Sequence, residues 1–430
     1  ALPSHGRGHM FDPCITHQIQ KRLAALQGAF FFVSSQRHVG VLGTGAGCRH
    51  NDQAPVSTNV RFRFAPDARL LRRATGCQSR RSHHMISFHN PLHHLHAPAH
   101  EFFRGNRVDC FENPARADYV EQALRQAGYE LLAPDTDATG ALKKIHSQRY
   151  LDFLASAWDQ WVALDPANAT AQPFPSVWPL RTLRSDVEPA NFIAKLGLYS
   201  MDNGTPLAQG TWEAAKAGAD GAASAAMRIA AGAPAAFCCT RPPGHHAGPD
   251  FMGGYCFLNN AAVAAQTLLD QGAKRVVVLD VDYHHGNGTQ SIFYQRADVL
   301  FISIHGDPLT EYPFYLGHAD EQGEGAGLGF NLNLPLPAGS SVAKWFAALE
   351  AACTRISQYA PDALVVSLGL DTYVGDPISQ FALATEDFST LGRRLAALGL
   401  PTVLVLEGGY AATELGANAL QVIHGFEADR

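Results

Sequence analysis

Between residues 280 and 284 two aspartates and a histidine alternate with other side chains. In an extended segment residues two apart share a face, so Asp280, Asp282 and His284 project together while Val281, Tyr283 and His285 project the other way. They follow the apolar run 276–279, where two repelling carboxylates are costly unless a cation neutralises them. Asp371, in Gly369-Leu370-Asp371, adds a carboxylate from a second segment. Two aspartates and one histidine suit a divalent metal such as zinc and leave a position for water; the hard oxygen donors keep iron, cobalt and manganese open. Activated water needs a base and the leaving group an acid, and His245 and His246, after Pro242-Pro243-Gly244, can supply both. Tyr410, after Gly408 and Gly409, can donate its phenol proton to a developing oxyanion. Each residue alone also has a bland reading, as a solvated carboxylate, a core histidine or an ordinary turn. Their convergence favours catalysis.

Runs at 236–239, 276–279, 300–304, 363–367 and 402–406 read as buried strands, and helices are predicted over 115–127 and 214–231. Short apolar strands separated by helices predict an α/β fold, a single large domain with a central, mainly parallel sheet flanked by helices. In such sheets ligands bind beyond the carboxyl ends of the strands, which is where residues 241–246, 280–286, 369–371 and 407–410 fall. The glycine-rich stretch 323–329 opens no helix, which argues against a nucleotide site. The Pro- and aromatic-rich stretch 173–210 reads as an inserted lid or interface.

Of the 430 residues 46% are hydrophobic and 17% charged, and mean hydropathy is −0.09, the balance of a soluble globule. No apolar run approaches the roughly 18–20 residues that span a bilayer, so a membrane protein is not expected. Before Met85 there are twelve basic residues against three aspartates and no glutamate, so the remainder carries about −15 of a net charge of −6. An acidic body attracts small cations and repels nucleic acid. Eight cysteines without a CxxC pair argue against a disulfide scaffold or zinc finger, and Cys238 and Cys239 read as small core residues. Residues 1–84 read as a transit peptide, a disordered basic tail or an overlong gene start, the last preferred; 85–430 is the expected domain, with a cytoplasmic location.

The motifs RPPGHHA (241–247), GYCFLNNAAVAA (254–265), VLDVDYHHGNGT (278–289), SLGLDTYVGDP (367–377) and EGGY (407–410) resemble, in order, those of the arginase-deacetylase superfamily. Within it they resemble the histone deacetylase and acetylpolyamine amidohydrolase branch. The resemblance implies zinc on Asp282, His284 and Asp371, His245 and His246 as acid and base, and Tyr410 polarising the acetyl carbonyl. It implies that Asp280 supports His245 and helps bind a structural potassium with Asp282, His284, Ser303 and Ile304. Asn287 stands where some members have aspartate, giving His246 a neutral partner. Gly253, Gly254 and Tyr255 would form one tunnel wall, and Tyr312 and Phe314 are candidates for the other.

Residues 96–105 and 109–114 resemble the first loop of the acetylpolyamine amidohydrolases, which implies Glu101 at the tunnel mouth, paired with the far ammonium of the substrate. The 173–210 insertion resembles that branch too, implying a homodimer, a narrowed site and a second carboxylate from Glu188. The function implied is zinc-dependent hydrolysis of the acetyl amide of acetylated polyamines or diamines; the alternative is an acetyl-lysine protein deacetylase. A two-manganese ureohydrolase would need further bridging ligands, and a non-catalytic binding module would lack some of this set.

Overall fold

Val276 and Val278 pack into one hydrophobic cluster and Val277 and Leu279 into another, so strand β6 (Val276–Asp280) has no solvent side. The same alternation divides Ala236 and Cys238 from Phe237 and Cys239 in β5 (Ala235–Cys239), and Val403 and Val405 from Leu404 and Leu406 in β10 (Thr402–Leu406). Strands buried on both faces need continuous apolar runs, which is why they were readable. The computed structural model describes residues 84–428, all within one compact unit. The expectation for 1–84 lies outside the described residues, His84 excepted.

With β1 (Ile86–His89), β4 (Leu131–Leu132), β7 (Val299–Gly306), β8 (Asn331–Leu336) and β9 (Ala363–Leu368), these strands form an eight-stranded sheet in the order β4-β1-β5-β10-β9-β6-β7-β8. Every pairing in it is parallel. One face is covered by α3 (Gln148–Leu164), α5 (Thr211–Ala230) and α6 (Asn260–Asp270), with α2 (Thr139–Ile145) and α4 (Phe192–Leu198). The other carries α1 (Ala115–Gln126), α8 (Val342–Tyr359), α9 (Thr385–Ala397) and α10 (Ala412–Ala428). Helix α7 (Asn287–Phe293) follows β6 at its carboxyl end.

The segment read as a first loop is in fact a hairpin, β2 (His100–Phe103) and β3 (Asn106–Asp109). Arg104 and Gly105 both have positive φ, 50° and 81°, the backbone of a two-residue hairpin turn. Across the insertion, residues 173–191 run without a regular helix or strand before α4. Cys238 and Cys239 are buried in β5, and burial pushes both thiols up, as expected of core residues. Among the described residues no helix is long and apolar enough to cross a membrane.

Candidate active site

The carboxyl ends of β5, β6, β9 and β10 converge. Asp280 closes β6, and its Oδ2 accepts from His245 Nδ1 at 3.0 Å, while Asp282 Oδ1 lies 3.8 Å from Nε2 of the same ring. Past the strand, donor atoms of Asp282, His284 and Asp371 lie within 4.8 Å of one another. His284 Nδ1 is 3.0 Å from Asp371 Oδ2 and 3.3 Å from Asp282 Oδ1. Both carboxylates are further held by backbone: Gly408 N–H donates to Asp282 Oδ2, His284 N–H to Asp282 Oδ1 and Tyr283 N–H to Asp371 Oδ1. Burial and repulsion from Asp282 push the Asp371 carboxyl well above the usual range. Burial pulls His284 down, but its bonds to the two aspartates outweigh that and raise it to about 10. Two crowded buried carboxylates and an imidazole aimed at one point fit a divalent cation, which relieves that conflict.

The rings of His245 and His246 are tilted 44° to one another with centroids 4.0 Å apart, and their surroundings drive them in opposite directions. Burial lowers His245, yet Asp282 and Asp280 outweigh it and raise it to about 10. Burial together with His245 and His284 takes His246 well below its ordinary value. His246 Nδ1 donates to Asn287 Oδ1 at 2.6 Å, leaving Nε2 for chemistry. The loop carrying the pair is anchored by Glu407, whose Oε2 accepts from Gly244 N–H at 2.6 Å and His245 N–H at 3.2 Å.

Tyr410 N–H donates to Asp376 Oδ2 at 2.7 Å, and the Arg116 guanidinium lies 4.8 Å from the ring centroid. Burial outweighs Arg116 and holds the phenol protonated far above its ordinary range. Arg116 Nη2 and Nε donate to the carbonyls of Glu407 and Gly409, while Nη1 reaches Glu112 at 3.0 Å. Glu112 also accepts from Arg241 at 2.7 and 2.8 Å, at the start of the histidine-bearing loop.

A cavity of about 780 Å³ opens onto His246, His284, Asn287 and Tyr410. Its walls include Gly254 and Tyr255 on one side, Tyr312, Phe314 and Tyr315 on another, with Phe102, Phe103, Met201 and Asp202. Both candidate rings of the second wall therefore line it; Tyr312 is partly buried and Phe314 stands half exposed. Gly253 is not in the lining; it packs behind, against Met201. Ser303 faces Asp280 across the β6–β7 register, and its hydroxyl is 2.8 Å from His305 Nδ1; Ile304 is buried in β7.

Two expectations need correction. Glu101 is only 1% exposed and does not line the cavity: it sits behind the wall, accepting from Tyr255 Oη at 2.8 Å and Phe111 N–H at 3.1 Å. The hairpin tucks it inward, and burial raises its carboxyl to about 7 in spite of those bonds. Glu188 is also absent from the lining, bonded to Tyr199 Oη and 3.1 Å from Lys195 Nζ. The carboxylates that do line the cavity are Asp202 and Glu311. Asp202, which the sequence reading passed over, accepts from Gly254 N–H at 2.7 Å and Tyr312 Oη at 2.6 Å. Its position inside the 173–210 insertion offered no signal, since its partners lie 52 and 110 residues away.

The histone deacetylase domain family matches residues 110–426. Acetylpolyamine amidohydrolases 1 and 2 of Pseudomonas aeruginosa are 51% and 50% identical to the chain, over 80% of it and 99% of each relative. A crystal structure of acetylpolyamine aminohydrolase from Burkholderia pseudomallei superposes with a TM-score of 0.76 at 41% identity, covering 80% of this chain and 99% of that one. Half-identity that runs the full length of such enzymes, on one fold, places the chain in the acetylpolyamine amidohydrolase and histone deacetylase family, and it is a deacetylase in kind.

Proposed function

We propose that the protein hydrolyses the acetyl amide of acetylated polyamines or diamines, with zinc held by Asp282, His284 and Asp371. The observation that carries this is a slot walled by Tyr255, Tyr312 and Phe102 that ends on His246 and Tyr410, in a chain half identical to acetylpolyamine amidohydrolases. A divalent cation at the trio supplies Lewis acidity, polarising the acyl carbonyl and acidifying water; iron, cobalt or manganese suit the same donors.

The chain's own groups do the rest. His246 Nε2 takes the proton of the attacking water, because Asn287 fixes its Nδ1–H and its surroundings keep the ring neutral. His245, held toward the cationic form by Asp280 and Asp282, offsets negative charge growing on the acyl group. Tyr410 Oη donates to the developing oxyanion. The proton taken by His246 passes to the departing nitrogen, giving acetate and a free amine. The aromatic walls admit a methylene chain and exclude water around the amide.

Selectivity for a charged amine then rests on Asp202, one of the two carboxylates that line the cavity, and not on Glu101. A structural potassium by Asp280, Asp282, His284, Ser303 and Ile304 is part of this proposal, supported by Asp280 and Ser303 facing one another in register. So is a homodimer through 173–210, supported by the exposed Val177, Leu180, Leu183 and Val187. The test is acetate release from acetylputrescine, acetylcadaverine and acetylspermidine beside an acetyl-lysine peptide, with a chelated control. The polyamines should be turned over at least tenfold faster in kcat/KM; preference for the peptide would make this a protein deacetylase.

A further inference from the structure

Beside Arg241, which donates to the carbonyl of His93, a second group of side chains able to hold a metal gathers at the 3₁₀ turn His93–Leu95 and α1. Asp118 Oδ1 lies 3.0 Å from His94 Nε2 and 3.5 Å from His93 Nε2, and donor atoms of the three residues all fall within 4.8 Å of one another. The rings of His93 and His94 are 4.0 Å apart, which brings both Nε2 atoms to the same carboxylate oxygen. The side chain of His93 is only 5% exposed, and its Nδ1 has no hydrogen-bond partner. Glu121, one helical turn beyond Asp118, presents a buried Oε1 that also has no hydrogen-bond partner, 4.0 Å from His93 Nε2 and 3.3 Å from His89 Nδ1. Its other oxygen is engaged by Arg125 at 3.2 Å. His94 and Asp118, by contrast, are about half exposed, so an ion can enter from solvent.

We propose that His93, His94 and Asp118 form a second metal site, for a borderline divalent cation such as Zn²⁺, Ni²⁺ or Cu²⁺, with the Glu121 carboxylate beside it. Two imidazoles and one carboxylate match the donor preference of these ions and leave room for water, whereas Mg²⁺ or Ca²⁺ would want more oxygens. The site joins the turn to α1. Arg241 donates to the carbonyl of His93, and α1 carries Arg116, whose guanidinium holds the carbonyls of Glu407 and Gly409. A cation across the turn and α1 staples the frame on which the loop of Tyr410 hangs. Its role is structural, since no ligand belongs to the catalytic cavity.

The experiment is a metal count on the full-length, untagged protein, already loaded at the Asp282–His284–Asp371 trio and then equilibrated with free Zn²⁺. Bound zinc is measured by elemental analysis against protein, alongside the thermal midpoint. His94→Ala and Asp118→Asn are compared with the parent chain; both side chains are half exposed, so each variant should fold, which circular dichroism checks. The expected result is one equivalent less zinc in either variant and loss of the zinc-dependent rise in midpoint. An unchanged count in either variant overturns the proposal, leaving only an ordinary histidine–aspartate contact.

Discussion

At the scale of single residues, roles divide by which groups can exchange a proton in the cavity. Tyr410 keeps its proton and reaches the site through a loop fixed at Asp376 and Arg116, which suits the oxyanion donor proposed above. Tyr410→Phe should retain the metal content of the parent while kcat falls about 10²- to 10³-fold, the usual cost of one oxyanion donor. Elemental analysis with kcat on one acetylated diamine checks it, and full activity would remove Tyr410 from the chemistry. The two acidic candidates separate in the same way. Asp202→Asn should raise KM for a charged acetyldiamine about tenfold and leave a neutral acetylalkylamine nearly unchanged, whereas Glu101→Gln, behind Tyr255, should affect both alike. Measuring KM for the two substrate types on both variants decides which carboxylate meets the ammonium.

The candidate catalytic and metal residues were easy to place because they follow short apolar runs that read as strands buried on both faces, and the sheet does carry those strands, with the residues at one edge of it. Glu101 was misplaced for a physical reason: whether a carboxylate in a short polar segment faces in or out depends on the Arg104-Gly105 turn, and four-residue strands carry too little pattern to show it. β4 has two residues and is set wholly by its neighbour β1. At the scale of elements, the turn before Tyr255 shows how tightly backbone and site are joined. Gly254 has φ +52°, and a Cβ there would stand 2.2 Å from His246 Cδ2. Gly254→Ala should thus displace the base, lowering kcat at least tenfold, with a stability loss of about 1–2 kcal/mol from the left-handed backbone. Activity and thermal midpoint measured together check this; unchanged kcat would show that the ring has room to move.

Over the whole molecule, the site is held by contacts that no local pattern reveals. Arg116, on α1, reaches carbonyls 291 and 293 residues further along the chain, and Arg241 reaches back 129 residues to the same Glu112. Glu112 is therefore an anion shared by two buried guanidiniums, one supporting the loop of Tyr410 and the other opening the loop of the histidine pair. Burial alone would raise its carboxyl, but Arg241 and Arg116 outweigh that and hold it at about 2, below its ordinary 4.5. A depressed carboxyl contributes stability that is present above about pH 4.5 and is lost as pH falls toward 2. Glu112→Gln should remove that contribution at every pH and leave two uncompensated charges, costing about 3–5 kcal/mol at neutral pH. Thermal or urea unfolding from pH 7 to pH 2.5 should show the variant much weaker at pH 7 and the two chains converging in acid. A gap that persists undiminished at pH 2.5 would mean that Glu112 acts through packing and not through its charge.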